Sequence, residues 1–226
     1  MNYFHSTLKI KIFVSIIIIL CLLVLYLVLF ATRIDPQQQM AQKIFYYHVP
    51  SAWTAGLSYL FVAMFGLIYL LKKDEKWDYF SYASAEIGTL FCALVLITGP
   101  IWAKPIWGSA WSWEPRLTTV LIMFLIYIGY FLLRNFGDVN ERMRRISAVI
   151  GILAFANVPI IYLSVKFWNQ EAQLHPQPAM GSQPDDVYWT FILSLISFTL
   201  LLIYLFSYRV HVLRLKAKLF SDRYDL

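Results

Sequence analysis

Charged residues are scarce in this sequence. Asp, Glu, Lys and Arg make up only 14% of its 226 residues, whereas 60% of the residues are hydrophobic. Because a soluble domain carries about a quarter charged residues, the composition excludes a soluble globular protein and predicts an integral membrane protein. The net charge of +6 comes from basic residues that flank apolar runs, so it does not indicate nucleic acid as a partner.

Cysteine is rare as well. Cys21 and Cys92 each lie alone within an apolar segment, and the sequence has no CxxC or CxxCH motif. This pattern excludes a disulfide framework and a covalent haem attachment of the CxxCH kind. We expect both cysteines to be small, buried, apolar side chains. Internal repeats and low-complexity tracts are also absent.

Six apolar segments are long enough to cross a membrane, since a hydrocarbon core about 30 Å thick requires about 20 residues of helix. The predicted fold is an all-α integral membrane protein that forms a single six-helix transmembrane domain over residues 1–226. The predicted helices cover residues 12–32, 50–71, 79–101, 115–133, 146–167 and 187–208. The first apolar run is too long for a signal peptide, and we expect it to be a retained helix.

Two prolines refine these helices. Pro50 suits the first turn of the second helix, where its missing N–H costs nothing. His48 would then lie at the entrance of that helix, at the membrane surface. Pro159 lies within the fifth helix and should kink it.

The distribution of Lys and Arg predicts the orientation. Of the 19 Lys and Arg residues, 14 lie in segments on the side of the N-terminus and 5 lie in segments on the other side. Because cytoplasmic loops carry the excess of basic residues, both termini should be cytoplasmic. The tryptophan-rich stretch at residues 102–118, His48 and His175 then share the outer face.

This tryptophan-rich stretch is the most unusual feature of the sequence. Four of the eight tryptophans fall within twelve residues, and the stretch also contains two prolines, a glycine, a lysine, a glutamate and an arginine. The residues of interest are Trp102, Lys104, Trp107, Trp111, Trp113, Glu114 and Arg116. An aromatic belt at the membrane surface is one interpretation, but a belt takes one or two aromatic residues per helix end. We therefore predict a flat aromatic platform for a large planar ligand, in a loop over residues 102–118.

Two histidines could give this platform a metal to hold. Of the four histidines, only His48 and His175 lie on the side of the tryptophans. Histidines from two segments could ligate a haem iron axially from both faces, although interfacial histidines can also be satisfied by water. Glu86 lies far from this face and is not a site candidate. Its side chain is expected to snorkel to the membrane surface or to form a hydrogen bond to Ser84 or to a neighbouring helix.

The charged residues of the stretch suggest contacts with an anionic ligand. Arg116 should lie in the first turn of the fourth helix, where a cation opposes the helix dipole by ~0.3–1 kcal/mol. An anionic partner would offset this cost, and both Glu114 and a haem propionate are candidates. Lys104 is a second candidate for the propionate, with lipid headgroups as the alternative.

The segment from Trp107 to Thr118 resembles the tryptophan-rich "WWD" signature of haem-handling membrane proteins, and most closely that of the CcmC family. This segment contains Trp111, Trp113 and Arg116. Three further motifs support the resemblance, which covers about residues 42–175. They are Tyr47-His48-Val-Pro50 with Trp53, Thr98-Gly-Pro-Ile-Trp102 with its continuation to Trp107, and Asn157-Val-Pro159 with Phe167-Trp168-Asn169. Ala110 stands where the family usually has tryptophan, and Glu114 stands where it usually has aspartate.

The resemblance implies a multi-pass protein of the bacterial inner membrane that receives haem b at its periplasmic face. His48 and His175 would be the axial ligands, and the tryptophan stretch would hold the porphyrin. The haem would pass to the periplasmic haem chaperone CcmE, within an ABC-type complex that contains CcmA, CcmB and the small subunit CcmD. The protein itself would have no catalytic residue and would not be an enzyme.

Three alternatives stay open. A b-type haem redox subunit, such as part of a quinol oxidoreductase, usually places its histidines deep within the membrane spans. A transporter or channel would require polar residues along its mid-membrane surfaces. A haem-lyase-type member of the same superfamily would have more helices and more histidines.

Overall fold

The computed structural model of the chain describes residues 7–136, 140–167 and 183–224, and all regular elements in these ranges are helical. The elements are α1 (Thr7–Tyr26), which continues as a π turn (Leu27–Ala31), a 3₁₀ segment (Gln39–Ile44), α2 (Phe45–Lys72), α3 (Glu75–Trp107), α4 (Pro115–Phe136), α5 (Glu141–Phe155), α6 (Asn157–Phe167) and α7 (Asp185–Tyr224). Within these ranges, six helical stretches are long and apolar enough to cross a membrane. The prediction of six such helices is therefore confirmed.

The second spanning helix begins earlier than predicted. The 3₁₀ segment runs directly into α2, so His48 and Pro50 lie inside the helix and not at its entrance. Proline leaves the carbonyl four residues before it without a helical N–H partner. That carbonyl belongs to Tyr46, and it accepts a hydrogen bond of 2.5 Å from the Ser194 hydroxyl of α7. A neighbouring helix thus supplies the donor that makes an internal proline tolerable, which the local sequence could not indicate.

The third spanning helix ends later than predicted. It continues past Pro100 to Trp107 and stops at Gly108, which has a φ of +74°. Glycine adopts this left-handed conformation without a Cβ penalty, and it commonly terminates helices. The predicted loop over residues 102–118 is therefore too wide, because only residues 108–114 lie between the two helices.

The fifth predicted span, in which Pro159 predicted a kink, is interrupted shortly before that proline. α5 ends at Phe155 and α6 starts at Asn157. The side-chain amide of Asn157 donates to the carbonyl of Thr119 in α4 at 2.8 Å, which anchors the break. The last helix is much longer than predicted. Its 40 residues extend for about 60 Å, twice the thickness of the hydrocarbon core.

α2 lies centrally and packs against α3, α5 and α7, while α4 packs against α3, α5 and α6, and α1 packs against α7. In the core, the rings of Tyr59 and Tyr127 stack at 4.3 Å. Gly88 makes this packing possible, because a Cβ there would lie 2.8 Å from Tyr59 Cε1. Small residues of this kind let membrane helices approach closely. Cys92 is buried as expected, but Cys21 is only partly buried.

Two ion-pair groups lie at the end of the bundle opposite residues 108–114. The buried Arg134 of α4 binds both carboxylate oxygens of Asp78 in α3, at 2.6 and 2.9 Å. Glu86 accepts two hydrogen bonds from Arg209 of α7, at 2.5 and 2.7 Å. The expected bond between Glu86 and a neighbouring helix is confirmed, and Glu86 lies outside the candidate site.

Candidate functional site

His48 is held on α2 by one turn of α3. Its Nδ1 lies 2.8 Å from Thr98 Oγ1, and its ring meets the Trp102 indole edge to face at 5.5 Å. A Cβ on Gly99 would lie 3.3 Å from His48 Cε1. The imidazole thus lies against the backbone of α3, between a hydroxyl and an indole, in a position where a side chain at residue 99 would make a tight contact with the ring.

Trp102 is fixed in turn by groups from two other elements. Its Nε1–H donates to Gln38 Oε1 at 3.1 Å, and its ring lies edge to face with Phe45 at 6.1 Å. Phe45 stacks on Phe191 of α7 at 4.8 Å. The His48 corner is therefore built from α2, α3, α7 and the segment before α2, which explains why a local motif search does not find Gln38.

Two basic residues stabilise the same end of the bundle. The Lys43 ammonium is buried, and it donates to the carbonyl of Thr32 at 2.7 Å and to its hydroxyl at 2.6 Å. The Arg33 side chain and backbone N–H donate to Asp186 at 2.8 and 2.9 Å. These contacts tie the residues that follow the π turn to the 3₁₀ segment and to α7, and they give both cations a structural role.

Residues 108–114 form a short link whose conformation is set by local hydrogen bonds. Lys104 Nζ donates to the carbonyl of Gly108 at 2.8 Å, and the Ser109 hydroxyl donates to the carbonyl of Trp111 at 2.8 Å. The indoles of Trp111 and Trp113 lie 5.7 Å apart at 78°. This pair is edge to face, so the predicted flat platform is wrong for these two residues. Trp113 is 75% exposed and is available to a ligand.

An open groove of about 450 Å³ lies beside Trp113, between α4 and α6. It is lined by Trp113, Pro115, Thr118, Thr119, Ile160, Leu163 and Ser164. Arg116 lies in the first turn of α4, as predicted, and Glu114 is buried immediately before that turn. The groove joins an exposed indole to an apolar helix face and a helix N-terminus, which suits an amphiphilic planar ligand with acidic groups.

Three buried polar atoms near the link test whether haem fits. Trp111 Nε1, Ser112 Oγ and Thr118 Oγ1 are buried and have no hydrogen-bond partner within the described part of the chain. Buried donors normally find acceptors, and the carboxylates of haem would supply acceptor oxygens. The donor set on this side therefore fits a ligand that carries propionates.

All but one of the predicted site residues lie within the described part of the chain. Trp102, Lys104 and Trp107 lie on the last turns of α3, Trp111, Trp113 and Glu114 lie in the link, and Arg116 lies on α4. The structure brings His48 and Trp102 together, but His175 lies outside the described residues. Sequence reasoning did not identify Thr98, Gly99 and Gln38 as site residues. The spacing of Thr98, Gly99 and Trp102, on one turn of a helix, was the available signal.

The fold and the contacts around His48 define a class of proteins. It is that of multi-pass α-helical membrane proteins with a tryptophan-rich link beside a histidine that neighbouring side chains hold in place. A family model described as CcmC, Heme exporter protein C, matches residues 2–224. The chain belongs to the CcmC family, and the resemblance noted from the motifs is confirmed.

Individual relatives agree with the family match. The chain is 40% identical over 159 residues to a putative cytochrome c biosynthesis ccmC-like mitochondrial protein of Marchantia polymorpha, covering 70% of this chain and 65% of the relative. It is 36% identical over 190 residues to heme exporter protein C of Bradyrhizobium diazoefficiens, covering 81% of this chain and 72% of the relative. It is 35% identical over 136 residues to heme exporter protein C of Escherichia coli K12, covering 60% of this chain and 55% of the relative.

Proposed function

We propose that this protein binds haem at the end of the bundle that holds residues 108–114 and delivers it to the periplasmic haem chaperone CcmE during maturation of c-type cytochromes. It would act as a subunit of an ABC-type complex with CcmA, CcmB and CcmD, without a catalytic step of its own. The family match supports this role, as do the names of the relatives, which refer to haem export and to cytochrome c biosynthesis.

The observation that carries the proposal is the clamped imidazole of His48 beside the Trp102 indole. A histidine held by a hydrogen bond at one ring nitrogen presents the other nitrogen in a fixed direction, as haem and metal sites require. In this proposal His48 is one axial ligand of haem b and His175 is the other. Haem supplies the iron and the planar ring, while the chain supplies the ligands and the contact surface.

The remaining site residues would hold the edges of the porphyrin. Trp107, Trp111 and Trp113 would contact the ring, since indoles provide large apolar contact areas. The cations Lys104 and Arg116 would bind the propionates. The unpartnered donors beside them support this placement, and the buried Glu114 would orient the start of α4.

The proposed orientation in the membrane follows from the distribution of basic residues. The Asp78 end of the bundle would be cytoplasmic with both termini, and the His48 end would face the periplasm across the bacterial inner membrane. The distribution of basic residues supports this orientation, with 14 of 19 on the cytoplasmic side. Two of the five on the other side, Arg33 and Lys43, are held in hydrogen bonds to the protein.

The ligand assignment is tested with the full-length protein purified with haem. Low-spin absorption spectra are recorded for the parent, His48→Ala and His175→Ala. Each substitution should weaken or abolish the low-spin spectrum, because one axial ligand is lost. His211→Ala is the matched control, since His211 lies exposed on the last helix, near the other end of the bundle, and it should leave the spectrum intact. Two ligand variants with the parental spectrum would contradict the assignment.

The tryptophan link is tested by transfer to the chaperone. Trp107→Ala with Trp111→Ala should reduce haem retention and chaperone loading, because both remove ring contacts. Trp77→Ala is the control, since Trp77 packs beside Phe65 and Phe80 at the start of α3. Normal loading by the double variant would refute the role of the link.

A b-type haem redox subunit is a second candidate, because His48 lies inside a helix and not before it. The two functions differ in what happens to the haem. A redox subunit keeps its haem when the haem-free chaperone is added, whereas a delivery protein loses haem to it. The absorbance of the separated chaperone after mixing distinguishes the two.

A further inference from the structure

The hydrogen bonds of Thr98 fix where protons lie at the candidate site. Thr98 Oγ1 is 2.8 Å from His48 Nδ1 and 2.7 Å from the carbonyl oxygen of Leu94. Contacts this short are hydrogen bonds, and each needs a proton between its two atoms. Without one, two lone pairs would face each other.

The two contacts share a single hydroxyl, which has one proton to donate and lone pairs that accept. The Leu94 carbonyl carries no proton, so the hydroxyl donates to it, as helical threonines commonly do. The proton of the second contact must therefore be on His48 Nδ1. A neutral imidazole with a proton on Nδ1 has its lone pair on Nε2.

We infer that Thr98 is a positioning residue that holds His48 in the Nδ1–H tautomer and thereby makes Nε2 the atom that binds haem iron. The first part concerns the protein alone, and only the second part rests on the proposed function. Gly99 and Trp102 complete the arrangement. The close approach of the ring to Gly99, with a Cβ position 3.3 Å from Cε1, and the edge contact with Trp102 oppose rotation of the imidazole.

The nature of the acceptor suits a site that releases its ligand. Metal-binding histidines commonly donate the second N–H to a carboxylate, which raises the basicity of the ligand nitrogen. Thr98 Oγ1 is a neutral acceptor, so it raises the basicity of Nε2 less than a carboxylate would and leaves Nε2 a weaker donor to iron. A delivery protein needs bonds that hold haem but do not compete with the chaperone.

The tautomer is tested without haem. The full-length protein is labelled with ¹⁵N-histidine and placed in lipid nanodiscs at a pH at which imidazole is neutral, and the signals of His48 are assigned by their loss in His48→Gln. The parent and Thr98→Ser should show a protonated Nδ1 and an unprotonated Nε2. Thr98→Val, which keeps the side-chain shape but cannot accept, should lose this preference. A protonated Nε2 in the parent, or an unchanged tautomer in Thr98→Val, would overturn the inference.

The consequence for the ligand is tested by the rate of haem loss to an apo-haem-protein in excess. Outer-shell partners of metal ligands are worth about 10- to 100-fold in affinity, so Thr98→Val should lose haem about 10- to 100-fold faster, and Thr98→Ser should stay near the parental rate. Thr199→Val is the matched control, because Thr199 makes the same type of bond to a preceding carbonyl, at 2.7 Å, in α7. An unchanged rate in Thr98→Val would refute the role of Thr98 at the ligand.

The two sets of results separate the inference from the proposed function. If His48→Ala binds haem as the parent does, then His48 is not a ligand, and the tautomer result still stands. If Thr98→Val keeps the parental tautomer while His48→Ala loses haem, the inference fails and the proposed function stands.

Discussion

Removing the Asp78 carboxylate should be among the most destabilising single changes in this protein. The side chains of Asp78 and Arg134 are 3% and 6% exposed, and both guanidinium contacts are short, at 2.6 and 2.9 Å. The Arg144 Nε lies 3.6 Å from Oδ2 of the same carboxylate. The Tyr82 ring lies 4.7 Å from the Arg134 guanidinium carbon, which further encloses the pair.

Asp78→Asn retains the shape of the side chain but leaves two guanidinium groups without this counterion. Breaking a buried ion pair by removing one partner costs about 3–5 kcal/mol. Since about 1.4 kcal/mol is a tenfold change in an equilibrium constant, the ratio of folded to unfolded protein should fall by roughly two to four orders of magnitude. Folded proteins have total stabilities of about 5–15 kcal/mol, so this loss should be readily measured.

The measurement is reversible unfolding of the full-length protein in mixed micelles, followed by circular dichroism as the fraction of denaturing detergent rises. Asp74→Asn is the matched control, because Asp74 pairs with Lys76 at the surface, with its side chain 43% exposed. Asp74 is also the N-cap of α3, a role that asparagine fills as well as aspartate does. The midpoint of this control should therefore not move. Replacing both partners with apolar residues, in Asp78→Leu with Arg134→Met, should recover stability relative to Asp78→Asn. A cost below about 1 kcal/mol for Asp78→Asn would refute the argument.

Three further predictions concern packing, a buried cation and orientation. Gly88→Val should destabilise the protein by about 1–3 kcal/mol in the same unfolding assay, because the added carbons overlap Tyr59. Gly56→Ala is its control and should be neutral or stabilising, because a Cβ at residue 56 meets nothing within 4 Å. Lys43→Ala should cost about 1.5–3 kcal/mol through the lost charged hydrogen bonds to Thr32, and an unchanged midpoint would contradict this. A reporter fused after Leu226 should be active only in the cytoplasm, and activity in the periplasm would overturn the proposed topology.

The general architecture could be predicted from the sequence because membrane insertion depends on local composition. Apolar runs of sufficient length predicted the number of spanning helices, and Pro159 predicted a kink in the fifth. The helix ends were less predictable. Pro50 lies inside α2 because Ser194, 144 residues along the chain, satisfies the Tyr46 carbonyl, and no local pattern contains that information.

For the candidate site too, the sequence predicted the residue types, whereas their contacts required the structure. The density of tryptophans and the predicted orientation identified His48 and the tryptophans as ligand candidates, and the family match confirms the resemblance that was noted from the same motifs. The contacts that orient His48 come from α3, fifty residues away, and only the packing of α2 against α3 shows them. The geometry of the indoles also required the structure, since the angle between Trp111 and Trp113 depends on how a short link joins two helices.

By itself, then, the sequence determined the class of protein, the six spans and the residues available for chemistry, because hydrophobicity and residue type act locally. The tertiary structure decided which of these residues meet. It paired Asp78 with Arg134 and Arg144, joined Glu86 to Arg209, and set His48 against Thr98, Gly99 and Trp102. The physical reason is that hydrogen bonds and ion pairs act over a few ångströms, and only the packing of helices brings residues distant in the chain within that range.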